Sequence, residues 1–198
     1  GRNTLGGTPP KGYADWAWVQ HMIASMAPAT GRVAVVLPQG ALFRGGAEGR
    51  IRNEVLAGDY VDAVIGLAPN LFYGTGLAAC VLILRADKPA DRTGKVLFIN
   101  AETLFRAGRN QNTLEPEHAA EILALYTGYA DVPGQTAIAT LEGIDANGGN
   151  LNIPLYVEPA DDGTSITLAE ALDNLEAARA AAAETRAALD AQLAAWGL

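Results

Sequence analysis

Four short runs of aliphatic and β-branched residues constrain this chain more than any other feature. They are GRVAVVLP (31–38), VDAVIGL (61–67), Leu77–Arg85 and KVLFIN (95–100). Each is short, apolar and bounded by turn or helix-forming residues, so each is expected as a strand. The first, ended by Pro38, is expected to be buried on both faces, as in a parallel sheet. Helical patterns lie between them. Asp15 is placed to cap a helix running to about Ala27, with Val19, Met22, Ile23 and Met26 on one face. A second helix from about Ala47 stops at Gly58. Pro116 suits the first turn of a third, whose Ile122, Leu125, Tyr126 and Tyr129 share a face. Strands alternating with helices define an α/β fold. Residues 1–12 are expected as a loop. Residues 130–160 are expected to be irregular, with a turn at NGGN and one or two short extended pieces.

The tail has a different character. Thr167 and Glu170 form a T-x-x-E capping box. Leu168, Leu172, Leu175, Arg179, Ala182, Arg186, Leu189, Leu193 and Trp196 follow at alternating spacings of four and three, a heptad seam with arginines at two inward positions. Alanine fills most of the rest, so helix propensity is high. Such a helix either folds back on its own domain or pairs with a partner chain. The narrowness of the seam favours the partner.

Composition excludes several classes. A hydrophobic content of 49% argues against disorder. No apolar run reaches the ~18 residues of a membrane span. No signal peptide opens the chain, so no membrane association is expected. A lone cysteine, Cys80, excludes an internal disulfide and a cysteine-rich zinc site, and suits a reducing cytoplasm. His21 and His118 lie far apart and are expected on helix surfaces, so no metal site is expected. The net charge is −8, of which −5 falls in residues 161–198. The other 160 residues carry 12 basic and 15 acidic side chains, which argues against broad phosphate-backbone binding by this chain alone.

Two stretches invite a chemical interpretation. In LFYGTGLAACVLILR (71–85), Gly74–Ala79 fits a loose GxGxxA fingerprint. A dinucleotide loop needs strand, glycine turn, then helix. Here the glycines precede a strand, so a cofactor loop is disfavoured. The glycines are instead expected to let the chain turn sharply and leave room for a ligand. That makes Phe72 and Tyr73 either a stacking platform or ordinary core rings. GALFRGGAEGR (40–50) lies after a strand and ahead of a helix, as an anion site would. It lacks a Walker lysine and GxGxxG spacing, so a nucleotide-dependent enzyme using Gly45–Gly49 is a poor fit. Arg44, Arg50 and Arg52 are candidates for phosphate contact or for solvated surface. No Ser-His-Asp constellation is apparent, and the carboxylates are too scattered to single out a pair.

DWAWVQHMIASMAPATGRVAVVLPQGALFRGGAEGRIRNEVL, VDAVIGLAPNLFYGTGLAACVLILR, GKVLFINA, GRNQNTLEPEH and NLNIPLYVEP occur in unbroken order over roughly residues 8 to 160. Together they resemble the modification subunit of type I restriction–modification systems, a family of N6-adenine DNA methyltransferases. The resemblance implies a partial Rossmann-like S-adenosylmethionine-dependent methyltransferase sheet with flanking helices and a long C-terminal helix. It implies the C-terminal half of the methyltransferase core over residues 1–100, an α+β extension over 101–160 and the heptad-patterned helix over 161–198.

The family's cofactor loop and its catalytic Asn-Pro-Pro-aromatic motif do not occur here; Thr8-Pro9-Pro10-Lys11 has neither the amide nor the aromatic. The expectation is therefore a fragment of a subunit that methylates adenine N6 in DNA, inactive alone, with S-adenosylmethionine bound elsewhere in the parent protein. By resemblance, Phe72, with Tyr73 beside it, matches the ring that packs on the flipped adenine. Arg44, Gly45 and Gly46 remain the possible phosphate contact. The implied partners are DNA, a specificity subunit docked through helix 167–196, and a restriction subunit in the full complex. A non-catalytic assembly module is the alternative.

Overall fold

Alternate residues of the central strands point into two separate cores, one on each face of a five-stranded sheet. The computed structural model describes residues 2–158 and 167–196. These fall into two units, divided near residue 160.

In the first unit the strands are β1 (Arg32–Pro38), β2 (Val61–Leu67), β3 (Ala79–Arg85), β4 (Lys95–Ala101) and β5 (Thr136–Thr140), in the order β1-β3-β2-β4-β5. β3 runs antiparallel to both β1 and β2, β2 and β4 are parallel, and β5 is antiparallel to β4. The sheet is mixed, and β1, β2 and β4 all point the same way. One core holds Val64, Leu82, Leu84, Val96 and Phe98 beneath helix α1 (Asp15–Ile23) and helix α2 (Gly46–Ala57). The returning segment adds Leu151, Ile153 and Val157 to it, and Tyr156 stacks on Phe98 with centroids 4.0 Å apart. Gly66 is tight against that segment: a Cβ there would meet Ile153 Cδ1 at 2.6 Å. The opposite core holds Ala63, Ile65, Leu67, Leu97, Ile99 and Ala101. Helix α3 (Pro116–Gly128) covers it with Ile122, Leu125 and Tyr126, and Tyr129 follows as its left-handed C-cap.

Several expectations need correction. β2 is buried at every position, but β1 is not: Ala34 and Val36, on the face of the second core, are exposed. The reason is position, because among the described residues β1 ends the sheet and pairs only with β3. Asp15 is the first helical residue rather than the cap; the cap is Ala14, and the Asp15 carboxylate goes instead to Arg44. α1 stops at Ile23, where Ser25 and Met26 donate to the carbonyls of Met22 and Ile23 and tighten the last turn. Within 130–160, β5 is one of the short extended pieces expected there, but the segment also holds a short helix α4 (Leu141–Ala146), capped by the Thr140 hydroxyl. His21 is exposed on α1, and His118 forms a reciprocal capping box with Glu115 at the start of α3.

A buried charge cluster ties α3 to the sheet. Asp62, at a bulge in β2, is fully buried; its Oδ2 meets Arg85 Nε at 2.9 Å and Arg92 Nη1 at 3.3 Å. Its Oδ1 has no partner.

The second unit is helix α5 (Leu168–Ala195), 28 residues long. Thr167 and Glu170 form the capping box the sequence announces, and Arg186 pairs with Asp190 one turn on. Among the described residues, no helix is long and apolar enough to cross a membrane.

Candidate functional site

Because β1, β2 and β4 share a direction, their carboxyl ends lie along one edge of the sheet, where ligands bind in open α/β folds. The connection from β2 to β3 crosses that edge and carries the aromatic pair. Asn70 takes a left-handed conformation (φ +58°), Leu71 packs against the second core, and Gly74 turns the chain at φ +77°. Phe72 and Tyr73 then project outward, 39% and 93% exposed, and neither belongs to a core cluster. The Thr75 hydroxyl accepts from the Leu77 N–H and closes the turn.

Phe72 borders two clefts. One, about 330 Å³, has a mixed lining that includes Asn70, Tyr73, Thr75, Asn110 and Gln111. The other, about 250 Å³, is apolar and lined by Val36, Leu37, Pro38, Leu77, Ala78 and Ala79. An aromatic face, an apolar wall and carboxamides suit a flat heteroaromatic ligand: the face stacks and the amides pair with its edge. A further cavity of about 260 Å³, between α2 and α4, sits at the opposite edge of the sheet.

The β1–α2 loop is arranged differently. The Arg44 guanidinium donates to Asp15 Oδ2 at 2.5 Å and to both Glu48 oxygens at 2.8 and 3.0 Å, and lies over the Tyr13 ring. The bond to Glu48 is the main reason its pKa is raised. With two carboxylates on one guanidinium, a phosphate would have to displace one of them. The backbone at Gly45 and Gly46 is open. Arg50 is exposed. Arg52 is neither solvated nor poised for a phosphate; it is buried and donates to the carbonyls of Ala41, Arg44 and Gly149. Burial pushes its pKa down.

The sequence did not single out Asn110, Gln111 and Asn112 as site residues, although they lie within the GRNQNTLEPEH block. Their placement beside Phe72 depends on a contact about 40 residues distant along the chain.

In a Rossmann-like α/β sheet, the carboxyl edge that carries the aromatic loop is where ligands bind. The sequence profile of the N-6 DNA Methylase family matches residues 2–164, and the chain belongs to that family. It is 41% identical over 174 residues to the type I restriction enzyme MjaVII methylase subunit of Methanocaldococcus jannaschii, covering 86% of this chain and 30% of that protein. It is 36% identical over 182 residues to the HindI methylase subunit of Haemophilus influenzae, covering 86% and 40%. Among solved structures it matches the type I restriction–modification methyltransferase subunit of Streptococcus thermophilus at TM-score 0.73 and 39% identity, over 78% of this chain and 32% of that one. The chain thus spans about a third of the length of these relatives.

Proposed function

We propose that this chain is part of a type I restriction–modification methyltransferase subunit that transfers a methyl group from S-adenosylmethionine to adenine N6 in DNA. The identity to methylase subunits over most of the chain carries the reading. The exposed aromatic pair at the carboxyl edge supports it.

The residues present do not make a cradle for S-adenosylmethionine. Gly74–Ala79 leads into a strand with no helix behind it, and the arginine of the β1–α2 loop, Arg44, is already engaged by two carboxylates. The cofactor, which supplies the methyl group, is assigned to the part of the longer subunit outside this chain. The role of these residues is on the DNA side. An adenine amino group is inaccessible inside the stack, so the base must leave the duplex. Phe72, with Tyr73 beside it, offers a face that offsets part of the unstacking cost, on the order of 1–3 kcal/mol. A phosphate contact by Arg44, Gly45 and Gly46 requires Arg44 to leave a carboxylate. If it forms, Arg44→Gln lowers the salt slope of DNA binding by about one.

A second reading, a non-catalytic assembly module, is favoured by α5, where Leu168, Leu172, Leu175 and Leu189 are all exposed. On either reading α5, with its caps Thr167 and Trp196 (167–196), docks to a specificity subunit, with a restriction subunit completing a cytoplasmic complex. Residues 1–100 then belong to the methyltransferase core, 101–160 to its extension and 161–198 to docking.

The test is mass spectrometry of digested DNA after incubation with the methyltransferase that carries this chain, its specificity subunit and S-adenosylmethionine. N6-methyladenine is expected, and its absence overturns the enzymatic reading. Calorimetric titration of this chain alone with S-adenosylmethionine should show no saturable site. A micromolar site would overturn the assignment of the cofactor to the rest of the subunit.

A further inference from the structure

A second loop folds back onto the aromatic one. The Gln111 side-chain amide donates to the Leu71 carbonyl at 2.7 Å, and the Asn112 side-chain amide to the Pro69 carbonyl at 2.9 Å. Between them the Asn112 backbone N–H donates to the Asn70 carbonyl at 2.8 Å. In return the Asn70 side chain donates to the Asn110 carbonyl at 3.3 Å. Three consecutive carbonyls, immediately ahead of Phe72, are thereby held from one side.

The second loop is itself constrained. Arg106 and Thr113 exchange backbone hydrogen bonds of 2.9 and 3.0 Å across its base, and Arg106 pairs with Glu115. At its tip a Cβ on Gly108 would collide with the Gln111 carbonyl, so only glycine lets the chain double back. Leu71, the residue after the held carbonyls of Pro69 and Asn70, packs into the second core. The backbone that launches the Phe72 ring is therefore fixed before any ligand arrives.

We infer that Gln111 and Asn112 are positioning residues. Their carboxamides hold Pro69–Leu71 so that Phe72 and Tyr73 are presented, pre-ordered, to a nucleobase in the 330 Å³ cleft. Ordering a loop on binding costs affinity, and a loop ordered in advance avoids that cost. The inference rests on the base-stacking reading, but the clamp can be tested apart from it.

Gln111→Met keeps side-chain length and removes the donor; Asn112→Asp keeps shape and removes its side-chain donor. In this chain, 15N relaxation should show order parameters at residues 70–74 falling from about 0.85 toward ~0.6 in either variant, with the melting temperature lowered by no more than about 4 °C, as one lost hydrogen bond allows. Unchanged order parameters overturn the clamp. In the methyltransferase that carries this chain, Gln111→Met should reduce methylation efficiency roughly five- to tenfold, as expected for one lost hydrogen bond. Combined with Phe72→Ala it should add nothing further, because it acts through that ring. Losses that multiply overturn the positioning role. If Phe72→Ala alone methylates normally, the base-stacking reading fails, and relaxation alone decides the clamp.

Discussion

The Tyr126 hydroxyl donates to Asp62 Oδ2 at 2.5 Å, on the same oxygen that faces Arg85 and Arg92. Burial, then this bond, raises the tyrosine pKa. Asp62→Ala would strip two largely buried guanidinium groups of their shared carboxylate, at ~3–5 kcal/mol. Tyr126→Phe removes one hydrogen bond to a charged group, ~1.5–3 kcal/mol. Urea unfolding of both variants checks the ranking. Equal or reversed losses would show that the cluster does not work as a charge network.

Phe72 separates stacking from packing. In the methyltransferase carrying this chain, Phe72→Ala should lower methylation efficiency five- to hundredfold, the equivalent of a lost contact of ~1–3 kcal/mol. Cofactor affinity should not change. Phe72→Trp should retain more activity than Phe72→Leu, because a half-exposed ring has room to grow. A large fall in melting temperature, with Leu outperforming Trp, would return Phe72 to a structural role.

Cys80 is fully buried in β3, with its thiol donating to the Leu37 carbonyl; burial pushes its pKa up to about 12. The folded state therefore favours the neutral thiol. Its stabilising effect is complete below the ordinary thiol pKa of ~8.5 and is lost as pH rises toward 12. Iodoacetamide at pH 8 should leave the native protein unmodified and label it in urea. Rapid labelling without denaturant would contradict the packing of β3 against β1.

Helix α5 should mediate association. Leu172→Asp with Leu189→Asp places charge in any helical interface along the seam and should abolish binding to the specificity subunit. Both side chains are largely exposed, so helix content by circular dichroism should barely change. If removing residues 161–198 leaves association unchanged by light scattering, α5 is not the docking element.

Much of this fold was legible in the sequence because burial repeats along the chain. The four apolar runs became β1 to β4, the Ile122-Leu125-Tyr126 face became the contact of α3, and the Thr167–Glu170 box caps α5. What escaped depended on neighbours. VAVV looks the same in a central strand and at a sheet end, so the exposure of Ala34 and Val36 could not be read from it. LEGIDA, only six residues long, gave too weak a periodic signal for helix α4. Asp15 has the chemistry of a cap, yet an arginine 29 residues away takes its carboxylate. Arg52 looked like surface because its Gly149 carbonyl partner lies 97 residues distant. The aromatic pair was visible in the sequence, whereas the amides that hold it were not.

The uncovered end of the sheet bears on handling. Among the described residues β1, seven residues long, has a single neighbour, β3, and an exposed Val36, and its outer row of N–H and C=O groups faces no other strand. Such an edge is a template for intermolecular pairing, and neither of its end residues, Arg32 and Pro38, interrupts the middle. Heated or concentrated, this chain should be lost by strand joining before its core is exhausted. Recovery after a melt would then fall with protein concentration, and apparent melting temperatures would shift with scan rate. A lysine at Val36 would serve as a gatekeeper, improving shelf life without touching either core.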